Sequence, residues 1–280
     1  MGANQGPLFS YGLAPIVDGT FAIFGLENSF HTNKYTFAGD IVASATDLSY
    51  TQDAGAAWSN SIYGVFATNS GAGTETSSYT YSGDVTAAST SLDYEVNFSM
   101  ASGIATEAIV GLYASGYYTD KWIYSGAIVA VSTSLGHLPQ GMAAGNATDG
   151  IFSFFVLSVT EDYTYSGDTV ASSTSLTGSA SFGCAAGNNT VGIFALGGTA
   201  ATNSYTYSGA TVASSTNLTA NLDFGSAAGN SIEGIFACGI SGFAIDKFTY
   251  SGATVTTATA LLISAYDANA CSNGIHGVTM

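Results

Sequence analysis

The side chains most able to do chemistry are few and widely separated in this sequence. There are three histidines, His31, His137 and His276, and no two of them are spaced as H-x-H or H-x-x-x-H. A zinc or copper site needs several such ligands to converge, so no metal site is predicted. The chain also has no G-x-S-x-G nucleophile sequence and no phosphate-binding loop. We therefore predict no catalytic residue, no metal and no cofactor, and we expect a protein that is not an enzyme.

The acidic residues and cysteines do not predict a catalytic site or a group of metal ligands. Three aspartates follow a glycine and are predicted to sit in turns, one in each unit, which is too few for calcium: Asp40, Asp84 and Asp168. The pair Glu161-Asp162 occurs once and is expected in a solvated loop. Cys184 and Cys238 occupy positions that hold small or apolar residues elsewhere, so buried thiols are predicted rather than a disulfide framework.

Aromatic residues that fall outside the repeated pattern are the better candidates for a ligand site. They are Trp58, Tyr63, Tyr94, Phe98, Tyr117 and Tyr118. Tyr117-Tyr118 lies where the units differ most, and loops on a rigid scaffold commonly carry binding residues. Amphipathic rings suit sugar faces and protein contacts alike. The predicted ligand-binding residues are Trp58, Tyr117, Tyr118 and His137.

The elements that must position these residues come from one motif that occurs six times. Its copies begin at Tyr35, Tyr79, Trp122, Tyr163, Tyr205 and Phe248. Each copy opens with aromatic-x-aromatic, then has a glycine, a threonine seven residues beyond the glycine and a leucine nine residues beyond it. The glycines are 44, 43, 41, 42 and 43 residues apart.

Each motif is predicted to be a β-hairpin. Residues i and i+2 of a strand share a face, so the two aromatics point the same way, and the glycine permits the turn. Between the hairpins lies a second pair of strands, typified by residues 184–188 and 192–195, with a turn at Gly-Asn. Four strands in about 43 residues are typical of a propeller blade. The repeated aromatics are predicted to form the core between blades.

Charge restricts the partners of this protein. The chain carries 19 acidic and 3 basic residues, for a formal net charge of −16. Such a chain repels phosphate backbones, so nucleic acid is not an expected partner, and an anionic membrane surface is disfavoured. No apolar run reaches the roughly 18 residues of a membrane span, and no secretory signal is expected at residues 1–6.

The order of strands resembles that of kelch-type β-propellers. More narrowly, the repeated segments are similar in sequence to repeats in tailed-phage structural proteins and bacterial surface proteins. These segments are Tyr-Thr-Tyr-Ser-Gly-Asp, Ser-Thr-Ser-Leu, Ala-Ala-Gly-Asn and Gly-Ile-Phe. The resemblance covers residues 12–280, which we expect to be one propeller domain after an N-terminal arm at residues 1–11. The kelch double glycine is clear only at Gly197-Gly198, and the kelch arginine and tryptophan are missing from most units.

The resemblance implies a non-enzymatic virion component of a phage, in a tail, fibre or neck, which contacts other virion proteins, further copies of itself or a host-surface glycan. A bacterial extracellular adhesin or filament protein is the alternative. The fold is expected to be all-β, with six to seven four-stranded blades, because there are seven inner strand pairs but six outer hairpins. Residues 1–11 could complete a seventh blade, or six blades could close with the two ends overlapping; a β-solenoid is the minor alternative. Residues 262–280 are otherwise left as an unmatched half-blade, whose edge solvent, an overlapping first blade or another chain must cover, and we expect another chain.

Overall fold

Each repeat forms a four-stranded antiparallel sheet, and six such sheets make a β-propeller. The computed structural model describes residues 19–26, 28–52, 55–68, 73–113, 116–237, 239, 244–264, 268–273 and 278–279. The expected all-β propeller is confirmed, with six blades.

The four strands of each blade run in order from the centre of the ring outward. Blade 1 contains β24 (Asn269–Ser272), β1 (Phe21–Gly25), β2 (Thr32–Thr36) and β3 (Ile41–Ala45). Blade 2 contains β4 (Ala56–Ser59), β5 (Tyr63–Ala67), β6 (Thr76–Thr80) and β7 (Val85–Ala88). Blade 3 contains β8 (Met100–Gly103), β9 (Glu107–Tyr113), β10 (Tyr117–Ile123) and β11 (Ile128–Val131).

Blade 4 contains β12 (Gly141–Gly145), β13 (Asp149–Phe154), β14 (Thr160–Thr164) and β15 (Thr169–Ser173), with a short 3-10 turn at Tyr165–Gly167. Blade 5 contains β16 (Cys184–Gly187), β17 (Val191–Ala195), β18 (Thr202–Thr206) and β19 (Thr211–Ser214). Blade 6 contains β20 (Ser226–Gly229), β21 (Glu233–Ala237), β22 (Ile245–Thr249) and β23 (Thr254–Thr257). A further short strand is β25 (Val278–Thr279).

The two ends of the repeat region together close the ring. Strand β24 pairs antiparallel with β1, so that Ala22 lies opposite Ser272. The Asn273 Oδ1 accepts hydrogen bonds from the backbone N–H groups of Thr20 and Phe21, at 2.7 and 3.0 Å. The two half-units are thus one blade, and the expectation of an unmatched half-blade at residues 262–280 is wrong. The predicted arm, residues 1–11, lies outside the described residues.

The innermost strands line a central channel, which β25 enters. Neighbouring innermost strands lie side by side in the order β24, β4, β8, β12, β16 and β20, and β20 again adjoins β24. Strand β25 pairs antiparallel with Ala185 and Ala186 of β16 and lies close to all six innermost strands. The backbone of Val278–Thr279 therefore runs inside the channel.

The outer hairpins turn as the sequence predicts. Gly39 has a φ of +88°, and Asp40 after it has a φ of 52°. The same left-handed position is held by aspartate in three blades and by alanine in the other three: Asp40, Asp84 and Asp168, and Ala127, Ala210 and Ala253. The predicted placing of the three aspartates in turns is confirmed.

The repeated apolar residues form the core between blades. The first aromatic of every motif is 0–1% exposed, and the repeated leucine is 2–4% exposed. Several of the repeated threonines tie one blade to the next, because the hydroxyl donates to the backbone carbonyl at the turn of the following blade. This bond is 2.6 Å from Thr46 to Asp84, 2.5 Å from Thr133 to Asp168 and 2.5 Å from Thr174 to Ala210.

A ring of six further hydrogen bonds, which we call the polar latch, runs around the whole propeller. The acceptor is a buried polar side chain of the third strand of each blade. The donor is a backbone N–H of the preceding blade, from the residue that follows the repeated leucine, and the hydrogen bonds are 2.7–3.1 Å long. The acceptors are Asn33, Ser77, Asp120, Glu161, Asn203 and Asp246. Glu161 is 4% exposed within β14, so the expectation that Glu161-Asp162 lies in a solvated loop is wrong.

All three lysines are used between blades. Lys247 of blade 6 lies 2.8 Å from the carboxylate of Asp40 in blade 1, Lys34 of blade 1 lies 3.8 Å from Asp84 in blade 2, and Lys121 of blade 3 lies 3.5 Å from Asp168 in blade 4. In the other three blades the residue equivalent to the lysine is Ser or Asp, and the left-handed turn position of the following blade is then alanine instead of aspartate. Lysine and turn aspartate therefore occur as matched sets. Burial would raise the pKa of Asp40, but hydrogen bonds from Lys247 and Tyr35 outweigh it and lower that pKa.

In blades 2 and 4 the second aromatic of the motif, Tyr81 or Tyr165, donates its hydroxyl to the innermost strand of the preceding blade. The Tyr165 hydroxyl donates to Ser102 Oγ at 2.9 Å. Tyr207 is the equivalent tyrosine of blade 5, and the residue of blade 4 that corresponds to Ser102 is Ala144. The Tyr207 hydroxyl is buried with no hydrogen-bond partner among the described residues. Burial raises the pKa of Tyr207 well above its ordinary value. Both phenols are therefore neutral, and they differ in whether the hydroxyl is satisfied.

Candidate binding face

One face of the ring carries the long, variable loops. Strands alternate in direction, so the loops that join blades and the loops after each second strand emerge on the same side. We call this side the loop face; residues 89–99, 132–140 and 155–159 belong to it. Most of the exposed large apolar side chains of the described residues lie there: Phe30, Tyr94, Tyr117, Tyr118, Leu138, Val156, Leu157, Leu262 and Ile263.

Two tyrosines on the loop face form what we call the tyrosine platform, Tyr94 and Tyr118, and Tyr117 precedes Tyr118 in the chain. The rings of Tyr94 and Tyr118 are stacked, with centroids 3.9 Å apart and an angle of 13° between planes. Their exposed fractions are 39% and 36%, and Tyr117 is 52% exposed. The structure thus exposes two of the predicted ligand-binding residues, Tyr117 and Tyr118, whose side chains point to opposite faces of one strand. Whether they bind a ligand stays a prediction.

The platform is held by the longest strands of the propeller. Strands β9 and β10 have seven residues each. Tyr117 and Tyr118 are the first two residues of β10, paired with Tyr113 and Leu112. The extra length of this hairpin extends their backbone beyond the neighbouring blades, while Trp122 in the same strand is fully buried and fixes its base.

Trp58 lies away from the loop face and inside the core. Its side chain is 0% exposed, and its ring meets that of Trp122 edge to face, with centroids 5.4 Å apart. It occupies the third position of an innermost strand, which holds Ser102, Ala144 and other small residues in the equivalent strands and faces the next blade. A ligand in solvent has no access to the ring in this structure.

His137 is on the loop face but is engaged with the polar latch. Its Nδ1 lies 2.8 Å from Glu161 Oε1, while the other oxygen of Glu161 accepts the backbone N–H of Gly136. The imidazole also packs on Phe154, with ring centroids 4.9 Å apart. Its side chain is 39% exposed, so it remains partly accessible to a ligand.

The centre of the loop face is occupied by phenylalanines, of which the sequence singled out only Phe98 as a ligand candidate. Phe98, Phe182 and Phe224 precede the innermost strands of blades 3, 5 and 6. Ring centroids of Phe98 and Phe224 are 6.1 Å apart, although blades 3 and 6 are opposite each other in the ring. These rings can meet only at the axis, where they cover the mouth of the channel. The repeated Phe-Ser or Phe-Gly before an inner strand was the signal that could have found them.

The described residues contain no group of three or more His, Cys, Asp or Glu side chains placed to hold a metal. Within the same residues, no helix has the length and apolar character of a membrane span. Cys184 and Cys271 are buried thiols, as predicted for the first of them, and Cys238 lies outside the described residues. Burial raises the pKa of Cys271 to about 12, which keeps it a thiol at neutral pH.

No protein-family model matches the chain, and no curated protein matches it in sequence.

Proposed function

We propose that this propeller is a non-enzymatic attachment protein that binds a neutral glycan through the tyrosine platform. The observation that carries the proposal is the stacked and exposed Tyr94–Tyr118 pair on the loop face, with Tyr118 held by the hairpin of β9 and β10. Exposed aromatic faces pack against the apolar faces of sugar rings, while phenol hydroxyls remain able to hydrogen-bond sugar hydroxyls.

The charge of the described residues favours a neutral ligand over an anionic one. All three lysines are engaged with aspartates between blades. The loop next to the platform contributes Asp93 and Glu95 instead. A sialylated or phosphorylated ligand would meet like charge there with no cation to offset it.

We place this attachment protein in a phage virion, as a kelch-like component of a tail, fibre or neck that contacts other virion proteins or copies of itself. The resemblance of the repeated sequence segments to repeats in tailed-phage structural proteins supports this location. A closed ring suits the role, because strand edges that are paired within the ring are protected from nonspecific association.

The glycan proposal is tested on an array of neutral and anionic glycans. The variants are a Tyr117→Ala/Tyr118→Ala double substitution and, as a control, Ile62→Ala/Ile232→Ala, which removes exposed aliphatic groups (61% and 53% exposed) from turns on the opposite face. We expect binding to neutral glycans that falls about tenfold or more in the tyrosine variant only, as for the loss of a central contact. Equal loss in both variants, or a preference for anionic glycans, contradicts the proposal.

The virion proposal is tested separately by mass spectrometry of purified particles and by the neighbouring genes. Capsid, portal and tail genes alongside, and the protein in intact particles, are the expected results. A secretion locus alongside, with the protein absent from particles, would favour the bacterial surface role instead.

A further inference from the structure

An apolar cavity of about 200 Å³ lies on the loop face beside the axial phenylalanines. It is lined by Phe98, Gln140, Gly141, Phe155, Phe182 and Phe224. Of these six residues, Gln140 alone has a polar side chain. None of them belongs to the tyrosine platform, so the cavity is a separate feature of the same face.

Comparison of the blades explains why a cavity is present at this place. Phe98, Phe182 and Phe224 each stand two residues before the start of the aligned part of an innermost strand, and Gln140 is the equivalent residue of blade 4. Blade 4 therefore brings no ring to the axis at that position. Its Phe155, from the loop after β13, forms another wall, with its ring centroid 4.8 Å from that of Phe182.

The walls are held firmly in place. Phe98, Phe182 and Phe224 have φ values of 47°, 51° and 52°. Large side chains rarely adopt this left-handed conformation, which persists when the surroundings fix it. The rings of Phe182 and Phe224 stack at 3.9 Å, and the Phe224 N–H donates to the Phe182 carbonyl at 3.0 Å. A cavity with fixed walls does not collapse when it is empty of ligand.

We propose that this cavity binds one uncharged aromatic ring that carries a hydrogen-bonding substituent, such as a phenol. An apolar protein cavity of about 150 Å³ accommodates benzene, so this cavity has room for a ring with one substituent. Four phenylalanines offer edge and face contacts to such a ring. The Gln140 amide can both donate to and accept from a hydroxyl, whereas the lining residues offer no charge to pair with a charged ligand.

The test is a titration of the full chain with 4-fluorophenol, followed by fluorine NMR. Binding in the millimolar range or tighter is expected for the wild-type protein. Gln140→Phe introduces the ring that the equivalent positions of blades 3, 5 and 6 carry, and should weaken binding about tenfold or more. Phe155→Trp fills the cavity from the other side and serves if Gln140→Phe does not fold. Tyr118→Ala, on the platform, should leave binding unchanged.

A second comparison checks the polar wall. Gln140→Leu keeps the size of the side chain and removes its hydrogen bonds, so 4-fluorophenol should bind several-fold more weakly while fluorobenzene binds as before. The absence of fluorophenol binding to the wild type overturns the proposal. Binding that survives both cavity-filling substitutions overturns it as well.

The source of the ring is distinguished by a third ligand, N-acetyltyrosinamide. Tighter binding of this amide than of phenol supports a tyrosine side chain of a partner protein as the occupant. Binding of phenol without binding of the amide supports a small free molecule. Loss of glycan binding with retained phenol binding would separate failure of the tyrosine platform from failure of this site.

Discussion

Tyr165 and Tyr207 are equivalent residues of adjacent blades, and the same substitution should change stability in opposite directions at the two. The Tyr165 hydroxyl is hydrogen-bonded to Ser102 at 2.9 Å, whereas the Tyr207 hydroxyl is buried without a partner among the described residues. Replacement of each by phenylalanine removes one oxygen and leaves the ring in place. The chain therefore supplies its own matched control.

The magnitudes follow from the cost of unmade hydrogen bonds. Tyr165→Phe loses a net contribution of about 0.5–1.5 kcal/mol and leaves the Ser102 hydroxyl buried and unpaired, so the total cost should be about 1–3 kcal/mol. Tyr207→Phe removes a desolvated hydroxyl that has no partner, and should stabilise the protein by about 1 kcal/mol. Each kcal/mol corresponds to roughly 2–4 °C in the melting temperature of a large domain.

Urea denaturation and thermal melting of the two variants measure these changes. The reasoning is refuted if both substitutions destabilise the protein equally, since the Tyr207 hydroxyl would then have a partner such as a buried water. Ala144→Ser is the complementary change, because it gives Tyr207 the serine that Tyr165 already has. It should stabilise the wild-type protein and have no such effect in the Tyr207→Phe background.

Three further predictions concern the contacts between blades. Lys247→Met should cost about 1 kcal/mol by leaving the half-buried Asp40 carboxylate without its cation, and it should cost less in an Asp40→Asn background, which has no charge there and still offers the Tyr35 hydroxyl an acceptor; urea midpoints of both single variants and of the double variant check this. Asn203→Ala should cost about 1–3 kcal/mol by leaving the Thr177 N–H without its acceptor, while Asn203→Asp, which keeps an acceptor oxygen, should cost less in the same assay. Burial raises the pKa of Asp120 to about 6, against an ordinary 3.8, so the folded protein holds that proton where the unfolded chain has lost it. The stabilisation of the folded protein by this bound proton, about 1–3 kcal/mol, is present below pH 4 and is lost as the pH rises to 6. Asp120→Asn should flatten the plot of unfolding free energy against pH between pH 4 and 6, and an unchanged plot would contradict the raised pKa of Asp120.

The strands, the turns and the aromatic core could be predicted because each corresponds to a periodic pattern in the amino-acid sequence. Alternation, a glycine at fixed spacing and an aromatic pair in every unit all describe local geometry. The number of blades could not be read in the same way. The half-units at the two ends look alike in sequence, and only the pairing of Ala22 with Ser272 shows that they complete one blade.

The misplaced residues were those whose role depends on a neighbouring blade. Trp58 looked like a ligand residue because it is aromatic where other units are small, but that position faces the next blade and is buried. Glu161 looked like a loop residue because of its charge, although the equivalent positions are all polar. Tyr117 and Tyr118 were expected in a loop but begin strand β10; they are exposed, as expected, in a stretch that departs from the repeat.

The closing strand has a consequence for how the protein is made. The contact between Phe21 and Asn273 joins residues 252 positions apart. During synthesis the inner edge of β1 therefore stays unpaired until β24, near the end of the chain, has been made. Contacts so distant in sequence also form slowly. In the closed ring this inner edge of β1 is paired with β24. In a crowded assembly the β24 of a neighbouring chain has the same sequence, so exchange of this strand between copies is the failure that nascent chains must avoid.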